Sequence, residues 1–312
     1  MIGIDVGGAN TKMVDESTVL IRYAPLWEGA ALTDTLRDLV RGRDVRSAAV
    51  VMSGELADCF ASKTEGIAHI VQAVQKVIPS ARFYGTDAQF HRAPVPELAA
   101  ANWLASADFL RERYPNAVLV DMGSTTTDVI PLRRFSWLRG LTDFDRLQKG
   151  YLIYSGLLRT PVAAYLPKVT IAGKEMGTSP EHFSISADVH LVLNHITPAG
   201  YTCATPDHRG TTRNDALHRL ARVVCADLAE IGPESAAEIA EQFWDAQRKA
   251  ILASIQMAER ESGACEVITA GIGSGLIAGI SGGLDLREVL GDVVDALPAY
   301  AVKEVAQRTV SS

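Results

Sequence analysis

The sequence predicts an α/β protein of two domains, and three observations carry the prediction. The chain has 312 residues, 47% of them hydrophobic, enough for two cores, because a single core stops growing near about 250 residues. A strand running into a small-residue turn opens the chain as IGIDVGGANTK (Ile2 to Lys12), and the layout returns as VLVDMGSTTTD (Val118 to Asp128), a weak internal repeat. A third strand enters a glycine turn near the end, as VITAGIGSGLI (Val267 to Ile277).

Taken in order, Ile2 to Val6 is a short apolar strand, and Gly7 and Gly8 turn the chain after it. Leu32, Leu36, Leu39 and Val40 recur at helical spacing, and Ser47 to Met52 (SAAVVM) reads as a buried strand. Ile67, Ile70, Val71, Val74, Val77 and Ile78 line a helix that Pro79 closes. A further helix is predicted over Glu97 to Arg113, stopping before Pro115. The pattern restarts at Ala117 with the strand AVLVD, and Thr127 to Leu132 reads as its hairpin partner. Residues 135–212, rich in Pro, Gly, Thr and His, are predicted to be irregular substrate loops inserted into the second domain. Leu217, Leu220, Ala221, Val224, Cys225 and Leu228 line a helix, which Glu234 to Arg260 continues beyond the Gly232-Pro233 break. A last helix is expected near Val293 to Val305, with Pro298 interrupting it. The predicted limits are 1–115 for the first domain and 116–290 for the second, with a C-terminal helix at 291–312 rejoining the first.

Composition narrows the partners. With 30 Lys and Arg against 37 Asp and Glu, the net charge of -7 repels a polyanion over most of the surface, so no nucleic-acid partner is expected. Met1 runs straight into a strand, and no apolar run approaches the roughly 20 residues that span a bilayer, so the expected location is the cytoplasm, without a membrane partner. Cys59, Cys203, Cys225 and Cys265 form no CxxC pair and read as reduced, mostly buried thiols. His182, His190, His195 and His208 match no zinc-ligand spacing.

The turns carry the chemistry. Asp5, Gly7, Gly8, Asn10, Thr11 and Lys12 place a carboxylate at a strand end beside backbone N–H groups that a phosphate can approach closely. The bland reading is a hairpin turn alone. Asp121, Gly123, Ser124, Thr125, Thr126, Thr127 and Asp128 repeat the layout, and their run of hydroxyls exceeds what a turn requires. Gly271, Gly273 and Gly275 open a helix, whose N–H donors can meet a ligand. Gly273, Gly275 and Ala278 fit the G-x-G-x-x-A form of a dinucleotide fingerprint, but too little chain follows for the further strands of that fold.

Together the three motifs resemble the phosphate and adenosine turns of the actin-like ATPase superfamily. That resemblance implies two ribonuclease-H-like domains flanking a central cleft, with the two Asp-bearing hairpins facing each other across it. GIDVGGANTK, SGELADCF with EGI, DMGSTTTDVIPL, GYLIYSGLLRTPV, SADVHLVL, TPDHR and RLARVVCAD narrow it further. They resemble the hydantoinase/oxoprolinase-related branch, and within it the condensing enzymes of methanofuran biosynthesis. The resemblance implies a transferase joining an (aminomethyl)furanmethyl diphosphate to the phenol of γ-glutamyltyramine with release of diphosphate.

For that chemistry the candidate catalytic residues are Asp5, Glu55, Asp121 and Asp188. Mg²⁺ is expected on Asp5, Asp121 or Asp128, with Lys12 and Arg159 contacting phosphate. His190 is a weaker candidate base, since a histidine between Val189 and Leu191 fits a buried structural role. Asp207, His208 and Arg209 read as a solvated loop, and Asp227 as a cap or ion-pair partner. A phosphorylated small molecule is the expected partner, ATP or ADP is compatible but not required, and a homo-oligomer is compatible with the chain. The competing readings are an ATP-dependent kinase or an ATP-using amidohydrolase of the wider branch, for which 312 residues leave little room, and a nucleotide-driven switch.

Overall fold

In the computed structural model, residues 1–16 and 18–311 are described; Ser312, the last residue of the predicted C-terminal helix, lies outside them. The strands are β1 (Ile2–Val6), β2 (Asn10–Asp15), β3 (Thr18–Tyr23), β4 (Ala48–Met52), β5 (Arg82–Tyr84), β6 (Phe90–His91), β7 (Ala117–Met122), β8 (Thr127–Pro131), β9 (Leu152–Ile153), β10 (Lys168–Ile171), β11 (Lys174–Gly177), β12 (Glu266–Ala270) and β13 (Leu284–Asp285). The helices are α1 (Leu32–Val40), α2 (Lys63–Val77), α3 (Asn102–Leu110), α4 (Phe135–Leu138), α5 (Asp143–Lys149), α6 (Val162–Tyr165), α7 (Ser186–Val192), α8 (Arg213–Arg222), α9 (Leu228–Ser262), α10 (Ser274–Ser281), α11 (Arg287–Leu290) and α12 (Leu297–Ser311).

Two sheets repeat one topology. The first runs β3-β2-β1-β4-β5-β6 and the second β13-β12-β7-β8-β9. In each, an antiparallel hairpin is followed by a strand parallel to the hairpin's first member: β4 beside β1, and β12 beside β7. The halves therefore share the antiparallel-then-parallel order of a ribonuclease-H-like domain, and the fold is a duplicated α/β architecture.

Alternation along the strands sorts the cores. Ala48, Val50 and Met52 of β4 join Ile2, Ile4 and Val6 of β1 in a core closed by α1 and α2. Ala49 and Val51 face the other way, into a larger core shared with α3, α12 and the second sheet. The C-terminal helix α12 lies on β1, β4 and α3. It comes so close that a Cβ on Gly3 would overlap the Ala299 backbone.

Several expectations are corrected. Pro298 is the second residue of α12, where its missing N–H is no loss, so it starts the helix instead of interrupting it. The helix expected over Glu97 to Arg113 is a 3₁₀ turn at Pro96–Leu98 followed by α3, because Ala100 takes a left-handed φ of 46° between them. The 135–212 segment is not irregular throughout: β9 completes the second sheet, and α5, α7 and the β10-β11 hairpin are regular. The thiols are mostly exposed, since Cys59, Cys225 and Cys265 lie in turns and at a strand edge and Cys203 alone is partly buried. Asp227 caps α9 through the N–H groups of Ala229 and Glu230. The long helix bends at Gly232, whose φ is 76°.

Candidate active site

The two hairpins are closed alike. The Gly7 N–H donates to the Asn10 carbonyl at 3.0 Å, and the Gly123 N–H to the Thr126 carbonyl at 2.9 Å. Outer segments then hold the turn carbonyls: Leu26 N–H binds Gly8 O at 2.9 Å, and Leu157 N–H binds Gly123 O at 2.9 Å. Leu158 and Arg159 N–H both bind Ser124 O, at 3.0 and 2.9 Å. With the carbonyls drawn outward, the N–H groups of Gly8, Ala9, Ser124 and Thr125 donate to nothing among the described residues. This arrangement suits an anion.

Glycines make these turns reachable by their neighbours. A Cβ on Gly54 would lie 2.9 Å from the Gly7 carbonyl carbon, and one on Gly156 would lie 2.7 Å from atoms of Gly123, Ser124 and Thr125. Gly271, at φ 80°, has the Asp121 side chain where its own Cβ would be, and Gly273 N–H binds Met122 O at 3.0 Å. The third glycine turn thus packs on the strand that carries Asp121.

Two carboxylates lie beside these turns. Asp5 is 5% exposed, and its Oδ1 is buried with no partner. Burial pushes its pKa up to about 6, against the pull of Lys12 and with a push from Asp128. Burial likewise pushes Asp121 up to about 7, with Asp128, Asp5 and Asp295 adding and Lys12 opposing. Groups from both sheets therefore share one electrostatic environment at the cleft. Lys12 is tied to the Asp295 carbonyl at 2.9 Å, with its charge beside both aspartates. Thr11 Oγ1 and Ser274 Oγ, at the start of α10, are two more buried hydroxyls without partners. Thr11 has its counterpart in Thr127, whose hydroxyl instead donates to Ser155 O at 2.7 Å.

Asp128 is committed elsewhere: it binds Arg146, which is 3% exposed, reaches Asp143 at 2.8 Å and stacks 4.3 Å over Trp103. Of the carboxylates expected to carry Mg²⁺, Asp128 is held in an ion pair, whereas Asp5 and Asp121 form none among the described residues. Among the described residues no three metal-ligating side chains converge. Two carboxylates plus substrate oxygens nevertheless fit the way Mg²⁺ is commonly held.

Arg159 reaches from the second turn to the first. Its backbone is fixed on Ser124, and its guanidinium lies 4.8 Å over Trp27, whose ring is 3.8 Å from where a Cβ on Gly8 would sit. Glu55 is 2% exposed, and its Oε2 has no partner. Asp188 and His190 do not join this group. Asp188 accepts from Arg219 at 2.7 and 2.9 Å, Tyr201 at 3.0 Å, Ser184 at 3.0 Å and the Ile185 N–H at 3.1 Å, so both oxygens are used. His190 is fully buried, with burial pushing its pKa down to about 3. It contacts Gln247 Oε1 at 3.0 Å and His195 Nδ1 at 2.9 Å. Asp207 pairs with Arg219 at 3.0 Å.

Sequence reasoning missed Trp27, Arg146 and Gln247. Gln247 donates to Ser155 Oγ at 2.8 Å and Gly156 O at 3.0 Å, holding the segment that packs on the second turn. One signal was available, since Gln247 stands at helical spacing between Phe243 and Ile251 in the buried stripe of α9.

The model of the Hydantoinase/oxoprolinase family, Hydantoinase_A, matches residues 46–307. The chain belongs to this family. A Methanocaldococcus jannaschii relative, (4-{4-[2-(gamma-L-glutamylamino)ethyl]phenoxymethyl}furan-2-yl)methanamine synthase, is 34% identical over 325 aligned positions, covering 99% of this chain and 98% of that protein. A Methanococcus vannielii protein of the same name is 33% identical over 172 positions, covering 55% of this chain and 78% of its own. Among solved structures, a ROK family glucokinase from Streptomyces griseus in complex with glucose and AMPPNP gives a TM-score of 0.46 at 13% identity, covering 99% of both chains. A nucleotide-free acetone carboxylase gives 0.47 at 11% identity over 94% of this chain and 51% of its own. Likenesses this loose carry no functional inference.

Proposed function

We propose that this family member is a transferase that forms the ether named in its archaeal relatives, joining a furan methylene to the phenol of γ-glutamyltyramine. The observation that carries the reading is the pair of turns with free N–H groups, bridged by Arg159 over Trp27 and flanked by Asp5 and Asp121, in a chain aligned end to end with that synthase. The donor is an (aminomethyl)furanmethyl diphosphate.

The turns bind the diphosphate through the N–H groups of Gly8, Ala9, Ser124 and Thr125 and the hydroxyls of Ser124, Thr125 and Thr126. Arg159 contributes a planar fork of donors and Lys12 a point charge. Mg²⁺ bound at Asp5 and Asp121 would neutralise charge on the diphosphate oxygens. The furan ring donates electrons to its methylene carbon, so the C–O bond breaks with its electron pair leaving on diphosphate. Donors aimed at the leaving oxygens stabilise that developing charge. The phenol oxygen then bonds to the methylene carbon, and its proton is released with the diphosphate. ATP has no part in this balance.

The test is product formation by purified protein given the furan diphosphate, γ-glutamyltyramine and Mg²⁺. The ether should appear by mass spectrometry only when both substrates are present. Ether formation that persists undiminished in Asp121→Asn would contradict the assignment of the site.

A further inference from the structure

Glu55 is 2% exposed, and its carboxylate makes no ion pair among the described residues. It follows β4 closely, next to the Gly54 that packs on the first turn, and α2 presses on its backbone so tightly that a Cβ on Gly66 would sit 2.8 Å from the Glu55 Cα. The backbone N–H groups of Glu55 and Ala100 lie near the carboxylate and favour its charged form. Ala100 is held at a left-handed φ of 46°, a strained conformation that points to a site over-determined by its surroundings. The Glu55 Oε2 is buried without a partner.

A buried carboxylate oxygen needs a proton or a cation. Burial is the main cause of the raised pKa of Glu55, the charge of Asp143 adds to it, and Lys63 opposes. Asp143 belongs to the opposite half, at the start of α5, where Arg146 takes one of its oxygens at 2.8 Å. The negative charge of Asp143 acts on Glu55 from the opposite half, which disfavours a developing phenolate and favours a positive group. The ether named in the relatives ends in a primary amine, which is an ammonium at neutral pH.

We propose that Glu55 is the subsite for the primary ammonium of the furan donor. The donor is then gripped by charge at both ends, its diphosphate on the two turns and its ammonium on Glu55 Oε2, which orients the methylene carbon between them. This assignment rests on the furan-transfer reading and adds the group that selects among furan diphosphates.

The experiment compares two donors, the aminomethyl furan diphosphate and its hydroxymethyl analogue, in the wild type and Glu55→Gln, by steady-state diphosphate release with γ-glutamyltyramine. The wild type should prefer the amine by about 100-fold or more in kcat/KM, because a site built for a charged donor is left unpaired by the alcohol. In Glu55→Gln the preference should collapse, with the change in KM. A preference that survives the substitution overturns the proposal. So does a fall in kcat shared by both donors with loss of the acid limb of the pH profile, which would make Glu55 the acceptor of the phenol proton. If neither donor releases diphosphate with the wild type, the furan-transfer reading itself fails, and the subsite with it. Calorimetric binding of both donors to the wild type without acceptor needs no variant, and equal affinities would overturn the proposal.

Discussion

Lys12 and Asp128 hold the same place in the two hairpins, each directly across its ladder from a cleft aspartate, Asp5 for the first and Asp121 for the second. The duplicated framework thus carries opposite charges at one equivalent position. In the first half the cation is built in. In the second it is supplied by Arg146 from α5.

That difference makes Arg146 sensitive to its partner. Replacing Asp128 with Asn leaves a guanidinium that is 3% exposed with Asp143 as its remaining carboxylate. The expected loss is about 3 kcal/mol, because a buried charge stripped of a partner is costly. Urea unfolding measures it, and the double change with Arg146→Met should cost less than the sum of the two singles.

Gly156 lets the Ser155–Gly156 segment touch the second turn. In Gly156→Ala, the added methyl must push Gly123 to Thr125 out of place, at an expected 1 to 3 kcal/mol, roughly, in stability. The KM for the diphosphate donor should rise at least about tenfold as the turn's N–H groups lose alignment. Steady-state kinetics beside a thermal melt separates the two effects.

Arg159 is predicted to act through its fork and its stack on Trp27. Arg159→Lys keeps the charge but loses both, so KM for the donor should rise about tenfold with little change in kcat. The same variant should alter Trp27 emission in the absence of substrate, which a fluorescence spectrum reads directly.

His190 sets a pH dependence of stability. Its pKa falls from 6.5 to about 3 on folding, so the unfolded chain binds the proton more readily. The stabilisation is fully present above about pH 6.5 and is lost as the pH falls towards the folded value, amounting to about 2 kcal/mol between pH 7 and 5. His190→Gln should flatten the unfolding free energy over that interval by about this amount.

The hairpins were legible because turn chemistry is local: glycines and hydroxyls beside a strand-end aspartate announce themselves within about ten residues of sequence. The pairing of the two halves was legible only as an echo, and the shared environment of Asp5 and Asp121 required the fold. Arg146 and Gln247 were hidden for a different reason. A polar side chain's burial depends on what packs over it, and α5 and α9 reach the second turn only through tertiary contacts. Asp188 shows the converse: a carboxylate taken as a catalytic candidate is absorbed by Arg219, Tyr201 and Ser184. Pro298 misled because a proline reads as a breaker unless the helix start is known.

The central claim is that the facing turns bind a diphosphate whose departure drives ether formation. The measurement that tests it most directly is the ratio of diphosphate released to ether formed, in nucleotide-free protein with the aminomethyl furan diphosphate, γ-glutamyltyramine and Mg²⁺. The account predicts a one-to-one ratio, unchanged by added ATP and lost in Asp121→Asn. Ether formation that requires ATP, or diphosphate release uncoupled from ether, would contradict it.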